Sequence, residues 1–474
     1  MPALLKAAHL RTAAGRSALL GAACLLSACA SVATGQSADA WQPRPYVEHA
    51  NPEWSRNAVL YQINTRQFTP EGTFRAAERE LPRLRALGVD ILWLMPIHPI
   101  GEENRKGTLG SPYSVRDYYA VNPEFGSPED LRHFIDAAHR QGFKVIIDWV
   151  ANHTAWDNQL RADHPDWYEK DWQGNFRPTP WWDWSDIIDL DWTRPGVRKH
   201  VGEAMEMWVR DYDVDGFRAD VAGYVPIDFW EEVRGRLDAI KPVFMLAEWK
   251  DPELTRRAFD GVYAWEWHQT SKNIAAGRAD ATALFGYYAE NESAWPREAM
   301  RMGYIENHDS NAWEGTIYEN YGAALDAFTA LSFTHEGLPL IHNGMEACNA
   351  KRLEFFEKDP IDWSQGQDCA YGRLLHDLIA FRDINPALEN GKWGARMQQV
   401  VTDKPQQMFA WVRQEGDNKV LGMFNLSGQP VTARFASGLP AGTYREFRSN
   451  AEVTITQGDS VTLPAWGFRL LARR

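Results

Sequence analysis

Residues 216–220 read Gly-Phe-Arg-Ala-Asp, a short apolar run that delivers an arginine and an aspartate at its end. Side chains along a β-strand alternate between its two faces, so Arg218 and Asp220 point to one side while Phe217 and Ala219 point to the other. The segment therefore predicts a buried strand that carries a neighbouring pair of opposite charges at its carboxyl end.

Seven other short apolar runs alternate with amphipathic helical stretches in the same part of the chain. In order, the eight runs are 59–63, 91–95, 145–148, 216–220, 243–247, 261–264, 303–305 and 338–341. This alternation is typical of repeated βα units, and eight of them predict an α/β fold with a closed (β/α)8 TIM barrel. The active site of such a barrel lies at the carboxyl ends of its strands.

Two regions depart from the βα pattern. Residues 152–191, after the third strand, are rich in Trp, Pro, Asp and Gly and have no clear helical period. A connection of this length is normally functional, so we expect a subdomain inserted over the mouth of a barrel domain that spans 51–388. Residues 389–474 alternate or run apolar between turn residues, which predicts a C-terminal antiparallel β domain, a β-sandwich.

Residues 1–29 have the features of a lipoprotein signal peptide. A basic segment at 1–16 precedes an apolar stretch at 17–28 that is too short to span a bilayer as a mature helix. The stretch ends in Leu-Ser-Ala-Cys, which resembles the bacterial lipobox and predicts lipidation of Cys29; cleavage of an ordinary signal peptide close by is the alternative. We expect an exported protein held only by this lipid anchor, on the outer membrane or periplasmic face of a Gram-negative cell, with 30–50 as a tether.

Composition and charge narrow the class of protein. With 474 residues, 44% of them hydrophobic, the chain can form more than one domain. A formal net charge of −14 opposes nucleic-acid binding, which needs a concentrated basic surface. The 22 Trp and 16 Tyr suit stacking on sugar rings but serve equally well as core. After export, Cys348 and Cys369 would lie in an oxidising compartment, where a disulfide between them is plausible but does not follow from their spacing. The sequence also leaves the oligomeric state open.

Charged and polar groups cluster at the ends of four predicted strands. They occur at 148–153 (Asp-Trp-Val-Ala-Asn-His), at 216–220, at Glu248, and at 306–309 (Glu-Asn-His-Asp). A single carboxylate in such a place is more often a helix cap or a surface ion pair. Several at one barrel mouth would be costly without a polar ligand, so together they indicate a binding or catalytic site.

Two of these carboxylates are expected to have unlike environments. The Arg218 guanidinium should favour the ionised form of Asp220 and lower its pKa, as a nucleophile needs. Glu248 follows an apolar strand, where desolvation favours the protonated form that a general acid needs. A pair of carboxyl groups with these two roles is what retaining glycoside hydrolysis demands.

The same four segments resemble the ordered signature regions of the α-amylase family, glycoside hydrolase family 13. Further similarity at 88–96, 188–191 and 463–467 extends the resemblance over nearly all of the mature chain. It implies that Asp220 is the nucleophile, Glu248 the general acid/base and Asp309 the third catalytic carboxylate. The residues that it implies for binding or orienting the sugar are Tyr113, His153, Arg218 and His308, with Asp148 in a supporting role.

The resemblance also implies a metal site. Asn152 and Asp191 match positions that ligate a structural Ca²⁺ in many members of the family, and the alternative is that Asn152 simply bonds backbone across the same junction. After the nucleophile the chain has Ala-Gly-Tyr at 222–224, where many members have Lys-His. This departure leaves open both the contacts to the leaving group and the calcium ligand expected there.

The function implied is hydrolysis of α-1,4-glucosidic bonds in starch-derived maltooligosaccharides or related α-glucans, with an oligosaccharide or polysaccharide as the substrate. An α-glucosidase, a cyclodextrin or pullulan hydrolase and a transglycosylase share this chemistry and are alternatives. A non-catalytic carbohydrate-binding protein is a remote alternative, because a lapsed enzyme should have lost one of the three carboxylates and all three are present.

Overall fold

The computed structural model describes residues 42–366 and 368–473, and its centre is a closed barrel of eight parallel strands. The strands are β1 (Leu60–Ile63), β2 (Ile91–Leu94), β3 (Lys144–Trp149), β4 (Gly216–Ala219), β5 (Phe244–Ala247), β6 (Gly261–Tyr263), β7 (Met300–Tyr304) and β8 (Leu338–His342). Each strand pairs with its neighbours in the chain, and β1 closes the ring against β8 with Leu60 opposite Leu340. The predicted (β/α)8 barrel is confirmed.

The strands read as nearly continuous apolar runs because both of their faces are buried. One set of side chains fills the lumen of the barrel, among them Leu60, Trp93, Ile146, Leu246, Met302 and Leu340. The other set packs beneath the surrounding helices, as Tyr61, Leu92 and Ile147 do. The polar groups at the carboxyl ends of the strands therefore lie above an apolar barrel interior.

Helices surround the barrel and connect its strands. The α-helical segments are Thr65–Phe68, Phe74–Arg79, Leu81–Leu87, Pro128–Arg140, Gln159–Asp163, Pro195–Tyr212, Ile227–Asp238, Leu254–Arg257, Trp265–Ala275, Ala283–Ala294, Ile317–Tyr321, Leu325–Thr334 and Ala370–Asp383. The helix at Pro128–Arg140 shows how local sequence sets a boundary: Ser127 and Asp130 form a reciprocal capping box, and proline occupies the first turn.

The chain between β3 and β4 forms the inserted subdomain. Two short strands, His153–Ala155 and Ile187–Asp189, pair in antiparallel fashion and bring the two ends of the insertion together. The hydroxyl of Tyr118 donates towards the carbonyl oxygens of Val150 (2.9 Å) and His153 (3.0 Å), which ties the base of the subdomain to the barrel.

The C-terminal part of the chain is antiparallel β structure, as predicted. One sheet has six strands in the spatial order Met397–Gln399, Met408–Glu415, Asn418–Asn425, Phe468–Arg473, Gly442–Glu446 and Glu452–Ile455; the other has Val401–Thr402, Val431–Ser437 and Ser460–Leu463. Met408 and Ala410 belong to the core of this domain, whereas Phe409 and Trp411 belong to the core shared with the barrel. Burial of both faces explains why this strand runs apolar.

The predicted signal peptide, with its lipidation site at Cys29, lies outside the described residues. The folded unit begins at Tyr46, and Glu48 forms ion pairs with Arg256 and Arg257, so the fold starts before the end of the tether expected at 30–50. In the part of the chain that the structure describes, no helix is long and apolar enough to cross a membrane. Cys348 and Cys369 form a disulfide, with Cα atoms 6.2 Å apart.

Candidate active site

The guanidinium of Arg218 is the centre of the polar cluster at the barrel mouth. It is completely buried, and its Nη1 contacts Oδ1 of Asp148 at 2.7 Å and Oδ1 of Asp220 at 3.0 Å. Its Nη2 lies 2.8 Å from Oε1 of Glu248, and its Nε donates to the hydroxyl of Tyr263 at 3.2 Å. Arg218 and Asp220 are in contact, as predicted, and the Arg218 guanidinium contacts three carboxylates. Arg218 lies buried beneath these carboxylates.

The backbone after β4 is bent so that it meets Glu248. Val221 has φ 36° and ψ 48°, a left-handed conformation that β-branched residues rarely adopt. In this conformation its N–H donates to Oε2 of Glu248 at 2.8 Å. Glu248 is thus ion-paired with a guanidinium and accepts a backbone N–H. The largely apolar setting expected for it was wrong, because β4 and β5 are adjacent in the barrel.

A second network fixes Tyr113 and His308. The side-chain amide of Gln62 bonds Nδ1 of His308 at 2.8 Å, and its Oε1 accepts the backbone N–H of His308 at 3.2 Å. Nδ1 is therefore the acceptor, and the ring proton lies on Nε2, 2.7 Å from the hydroxyl of Tyr113. That hydroxyl donates to Oδ2 of Asp148 at 3.0 Å, as does the indole of Trp93 at 3.1 Å.

The titration behaviour of the cluster follows from its burial. Burial raises the pKa of Asp220 well above its ordinary value, and the Glu248 carboxylate raises it further. Arg218 lowers this pKa, as expected, but burial and the Glu248 carboxylate outweigh it, so the net lowering expected for Asp220 was wrong. Burial likewise raises the pKa of Asp148 to about 6. Asp309 is open to the cavity on one side, but desolvation deep in the site, with Glu248 adding to it, raises its pKa to about 7. Such a cluster retains protons near neutral pH and titrates as one unit.

The two histidines of the site are held neutral. Burial lowers the pKa of His153 to about 4. Burial, reinforced by the nearby Arg218 cation, lowers the pKa of His308 well below its ordinary value. Both rings therefore act as uncharged hydrogen-bonding groups, which avoids adding a mobile positive charge beside the carboxylates.

The carboxylates open into a cavity of about 470 Å³ between the barrel and the inserted subdomain. Six of the seven residues predicted for catalysis or sugar binding line it: Tyr113, His153, Asp220, Glu248, His308 and Asp309. The side chain of Asp309 is the most open of the three catalytic candidates, with 44% of its surface exposed against 11% for Asp220 and for Glu248.

Aromatic side chains complete the walls of this cavity. Trp182 and Trp184 of the inserted subdomain stack with ring centroids 5.3 Å apart, and Phe355 packs 6.1 Å from Tyr113. The sequence pointed to the insertion through its Pro-Trp-Trp-Asp-Trp stretch. The sequence did not single out Trp313, Phe355 or Phe356. The one feature that could have indicated them is their position in the connections that follow β7 (Trp313) and β8 (Phe355 and Phe356).

Asn152 and Asp191, the residues expected to bind calcium, both take part in hydrogen bonds. The side-chain N–H of Asn152 donates to Oδ1 of Asp189 at 3.1 Å, and the backbone carbonyl of Asn152 accepts the N–H of Leu190 at 3.0 Å. Asp191 accepts from Thr193 at 2.6 Å and from Arg194 at 2.9 Å. Across residues 42–366 and 368–473, no three His, Cys, Asp or Glu side chains are arranged to hold a metal.

Comparison with known families identifies the same regions. A family model described as the α-amylase catalytic domain matches residues 48–414, and one described as the maltogenic amylase C-terminal domain matches residues 397–470. Alpha-amylase MalA of Haloarcula japonica is 29% identical over 448 residues, an alignment that covers 89% of this chain and 63% of that protein. The chain thus spans less than two thirds of the length of this relative.

Two solved structures share the whole architecture. A noncanonic maltogenic α-amylase, AmyB, from Thermotoga neapolitana has a TM-score of 0.80 and 28% sequence identity, over 88% of this chain and 98% of that one. An α-amylase from Lactobacillus plantarum has a TM-score of 0.79 and 29% identity, over 89% of this chain and all of that one.

Proposed function

Because the chain belongs to the α-amylase family, we propose that it hydrolyses α-1,4-glucosidic bonds of maltooligosaccharides or related α-glucans by double displacement with retention of configuration. The observation that carries this proposal is the contact of Asp220 and Glu248 with the two terminal nitrogens of one guanidinium. This arrangement suits the shorter carboxyl separation, about 5 to 5.5 Å, of retaining enzymes.

In this mechanism, Asp220 attacks the anomeric carbon and Glu248 protonates the departing oxygen. Arg218 stabilises the attacking carboxylate, while the excess of carboxylates over cations favours a proton on one of them, as a general acid requires. After the sugar is bound covalently to Asp220, Glu248 removes a proton from water, and the water oxygen attacks the anomeric carbon from the face that the leaving group occupied. The bond between this carbon and Asp220 breaks, which releases the sugar and restores the Asp220 carboxylate.

Asp309 and the two neutral histidines act on the sugar that is cleaved. Asp309 is open to the cavity, so its carboxylate can accept hydrogen bonds from sugar hydroxyls that strengthen as positive charge develops on the ring. Tyr113 lines the same cavity, and its hydroxyl is fixed by Asp148. We assign it the stacking surface for that sugar.

Short oligosaccharides are the favoured substrate class within this proposal. Support comes from the match to the maltogenic amylase C-terminal domain and from a cavity of about 470 Å³ that the inserted subdomain covers on one side. The α-glucosidase, cyclodextrin or pullulan hydrolase and transglycosylase activities use the same intermediate. Chromatography of the products from starch, maltotriose, pullulan and cyclodextrin separates them.

The roles of the carboxylates are tested by varying the leaving group. A natural α-glucan leaves as an alkoxide and needs protonation, whereas fluoride does not. Glu248→Gln should lose about 10³-fold in rate on maltooligosaccharides but still transfer sugar from an α-maltosyl fluoride to Asp220. Asp220→Asn should fail on both substrates and form no adduct visible by intact-protein mass spectrometry. Equal losses across leaving groups for Glu248→Gln, or β-configured first products by proton NMR, would contradict the proposal.

We further propose that the protein is exported and lipidated at Cys29. The disulfide between Cys348 and Cys369 supports this localisation, since such bonds persist in oxidising compartments. Cys29→Ser should move the protein from the membrane fraction to the soluble fraction with unchanged specific activity. A mature N-terminus away from residue 29 by mass spectrometry would refute lipidation.

A further inference from the structure

A small cavity lies at the end of the barrel opposite to the carboxylates. Met300, the first residue of β7, and Gly337, which directly precedes β8, line this space of about 20 Å³. Arg413 of the C-terminal domain also lines it, so the cavity lies at the junction of the two domains. None of the described residues lines both this cavity and the catalytic one. It is therefore separate from the site of the proposed reaction.

The lining of this junction cavity is strongly basic. Arg297, Arg301, Arg396 and Arg413 line it, and among the described lining residues only Glu336 is acidic. The Glu336 carboxylate is already engaged, because Oε2 lies 3.2 Å from Nη1 of Arg396. The wall of the cavity therefore carries more positive charge than its one carboxylate compensates.

Arg301 and Arg413 are the two buried cations of this wall, with exposed fractions of 5% and 1%. The hydrogen bonds of the Arg413 guanidinium among the described residues all go to neutral carbonyl oxygens. Nη2 of Arg301 lies 3.2 Å from the Glu266 carboxylate, which is shared with Lys250, and Nε of Arg301 has no hydrogen-bond partner in the described part of the chain. Buried charge that is neither paired nor fully hydrogen-bonded is costly, which indicates a further negative partner.

The positive charge extends to the neighbouring ring of His335. Burial, together with the cations of Arg413, Arg382 and Arg301, lowers the pKa of His335 to about 3. Neither ring nitrogen of this histidine bonds to another described residue. The junction thus holds three buried guanidinium groups and an uncharged imidazole.

The neutral part of the wall and the size of the cavity restrict the ligand. The side chain of Asn291 lines the cavity, is 6% exposed, and has a carbonyl oxygen without a hydrogen-bond partner among the described residues. Rotation of this amide turns its N–H groups towards an anion. A volume of about 20 Å³ holds one particle of about the size of a water molecule, and is too small for a sugar, a phosphate or a sulfate.

We propose that the junction cavity binds one monatomic anion of the size of chloride, with the Arg301 guanidinium and the Asn291 amide as its ligands and the Arg413 cation beside it. The anion compensates buried positive charge where the barrel meets the C-terminal domain, and it stabilises the fold by binding only the folded state. This inference does not depend on the proposed hydrolase function.

The first test measures the melting temperature of the wild type against chloride concentration by scanning fluorimetry. Gluconate, which is too large for the cavity, keeps the ionic strength constant. The melting temperature should rise by about 3 °C between about 1 and about 100 mM chloride, as expected for a ligand that binds the native state. No rise overturns the proposal.

The second test locates the anion directly. Crystals of the wild type grown in bromide should show an anomalous difference peak beside Arg301 and Asn291 at the bromine absorption edge. An ordered water without anomalous signal in the cavity, or a peak only elsewhere on the molecule, overturns the proposal.

Asn291→Asp places a carboxylate where the anion is expected. This variant should melt at a higher temperature than the wild type in gluconate and should no longer respond to chloride, because its own charge replaces that of the ion. Gln429→Glu makes the same change from amide to carboxylate at an exposed position of the C-terminal domain and should respond to chloride as the wild type does. A chloride response that persists in Asn291→Asp would show that the ion acts at another place. If Asn291→Asp does not fold, the bromide experiment on the wild type decides alone.

Discussion

The carboxylates at the barrel mouth are needed for the proposed reaction, but their mutual repulsion lowers the stability of the folded protein. Asp148, Asp220 and Glu248 all contact the guanidinium of Arg218, and Asp309 lies in the same cavity. Carboxylates that repel one another raise the free energy of the folded state, since the unfolded chain separates them. Removing one of them should therefore stabilise the protein while it abolishes the function.

Asp309→Asn tests this conflict through its dependence on pH. Burial raises the pKa of Asp309 to about 7 in the fold, above its ordinary value of 3.8, so the fold binds this proton more tightly than the unfolded chain does. Ionisation of Asp309 therefore does not affect the free energy of unfolding below about pH 4. It lowers this free energy progressively between about pH 4 and 7, and its full effect is reached above about pH 7. Because 44% of the Asp309 side chain is exposed, solvent screening leaves only part of this effect. The variant should melt about 2 °C higher than the wild type at pH 8 and no higher at pH 4.

Scanning fluorimetry at pH 4, 6 and 8 checks this, with the exposed Asp417→Asn as the control that should show no difference from the wild type at any of these values. A gain for Asp309→Asn that is the same at all pH values would show that the amide stabilises by packing, not by removing charge. Activity on maltooligosaccharides should be severely reduced in this variant at every pH, because the amide cannot stabilise a developing positive charge as a carboxylate does.

At the scale of elements, the sequence predicted strands better than loops. All eight apolar runs match strands of the barrel, because a strand buried on both faces has a continuous local pattern. Because carboxyl ends of barrel strands meet at one mouth, the predicted strand ends also placed Asp220, Glu248 and Asp309 in one site. Phe355 could not be predicted, because its position depends on long-range contacts: Gln67 donates to the carbonyl oxygens of Glu354 and Glu357 and holds this loop over the barrel. The pKa of Asp220 likewise depends on neighbours that only folding brings together.

Hydrogen bonds at the ends of the inserted subdomain engage the side chains expected to bind calcium. The side-chain N–H of Asn152 donates to the Asp189 carboxylate, and both carboxylate oxygens of Asp191 accept hydrogen bonds from its own turn. We expect this junction to be stable without a metal. Chelation with EDTA should therefore leave the melting temperature of the wild type unchanged to within about 1 °C. A fall that added Ca²⁺ reverses would contradict this and return calcium to the junction.

At the scale of the whole molecule, the barrel and the C-terminal domain behave as one compact unit. Arg413, on the strand Met408–Glu415, is buried between them. Its guanidinium donates to the carbonyl oxygens of Thr334 and His335, at the end of a barrel helix, and to those of Glu389 and Ala395. Because these acceptors are neutral, burial lowers the pKa of Arg413 to about 10, and the residue remains charged at neutral pH.

Arg413→Met should consequently destabilise both domains together. The variant deprives four buried carbonyl oxygens of a charged donor, a loss that we expect to reduce the free energy of unfolding by about 3 kcal/mol. Urea unfolding followed by tryptophan fluorescence and far-UV circular dichroism should give a single transition at lower urea concentration, because the same core packs Phe409 and Trp411 against the barrel. Arg434→Met, at an exposed position of the three-stranded sheet, is the control and should leave the midpoint within experimental error. If the Arg413→Met transition separates into two, with the barrel unfolding at its wild-type midpoint, the domains are stable independently and Arg413 does not couple them.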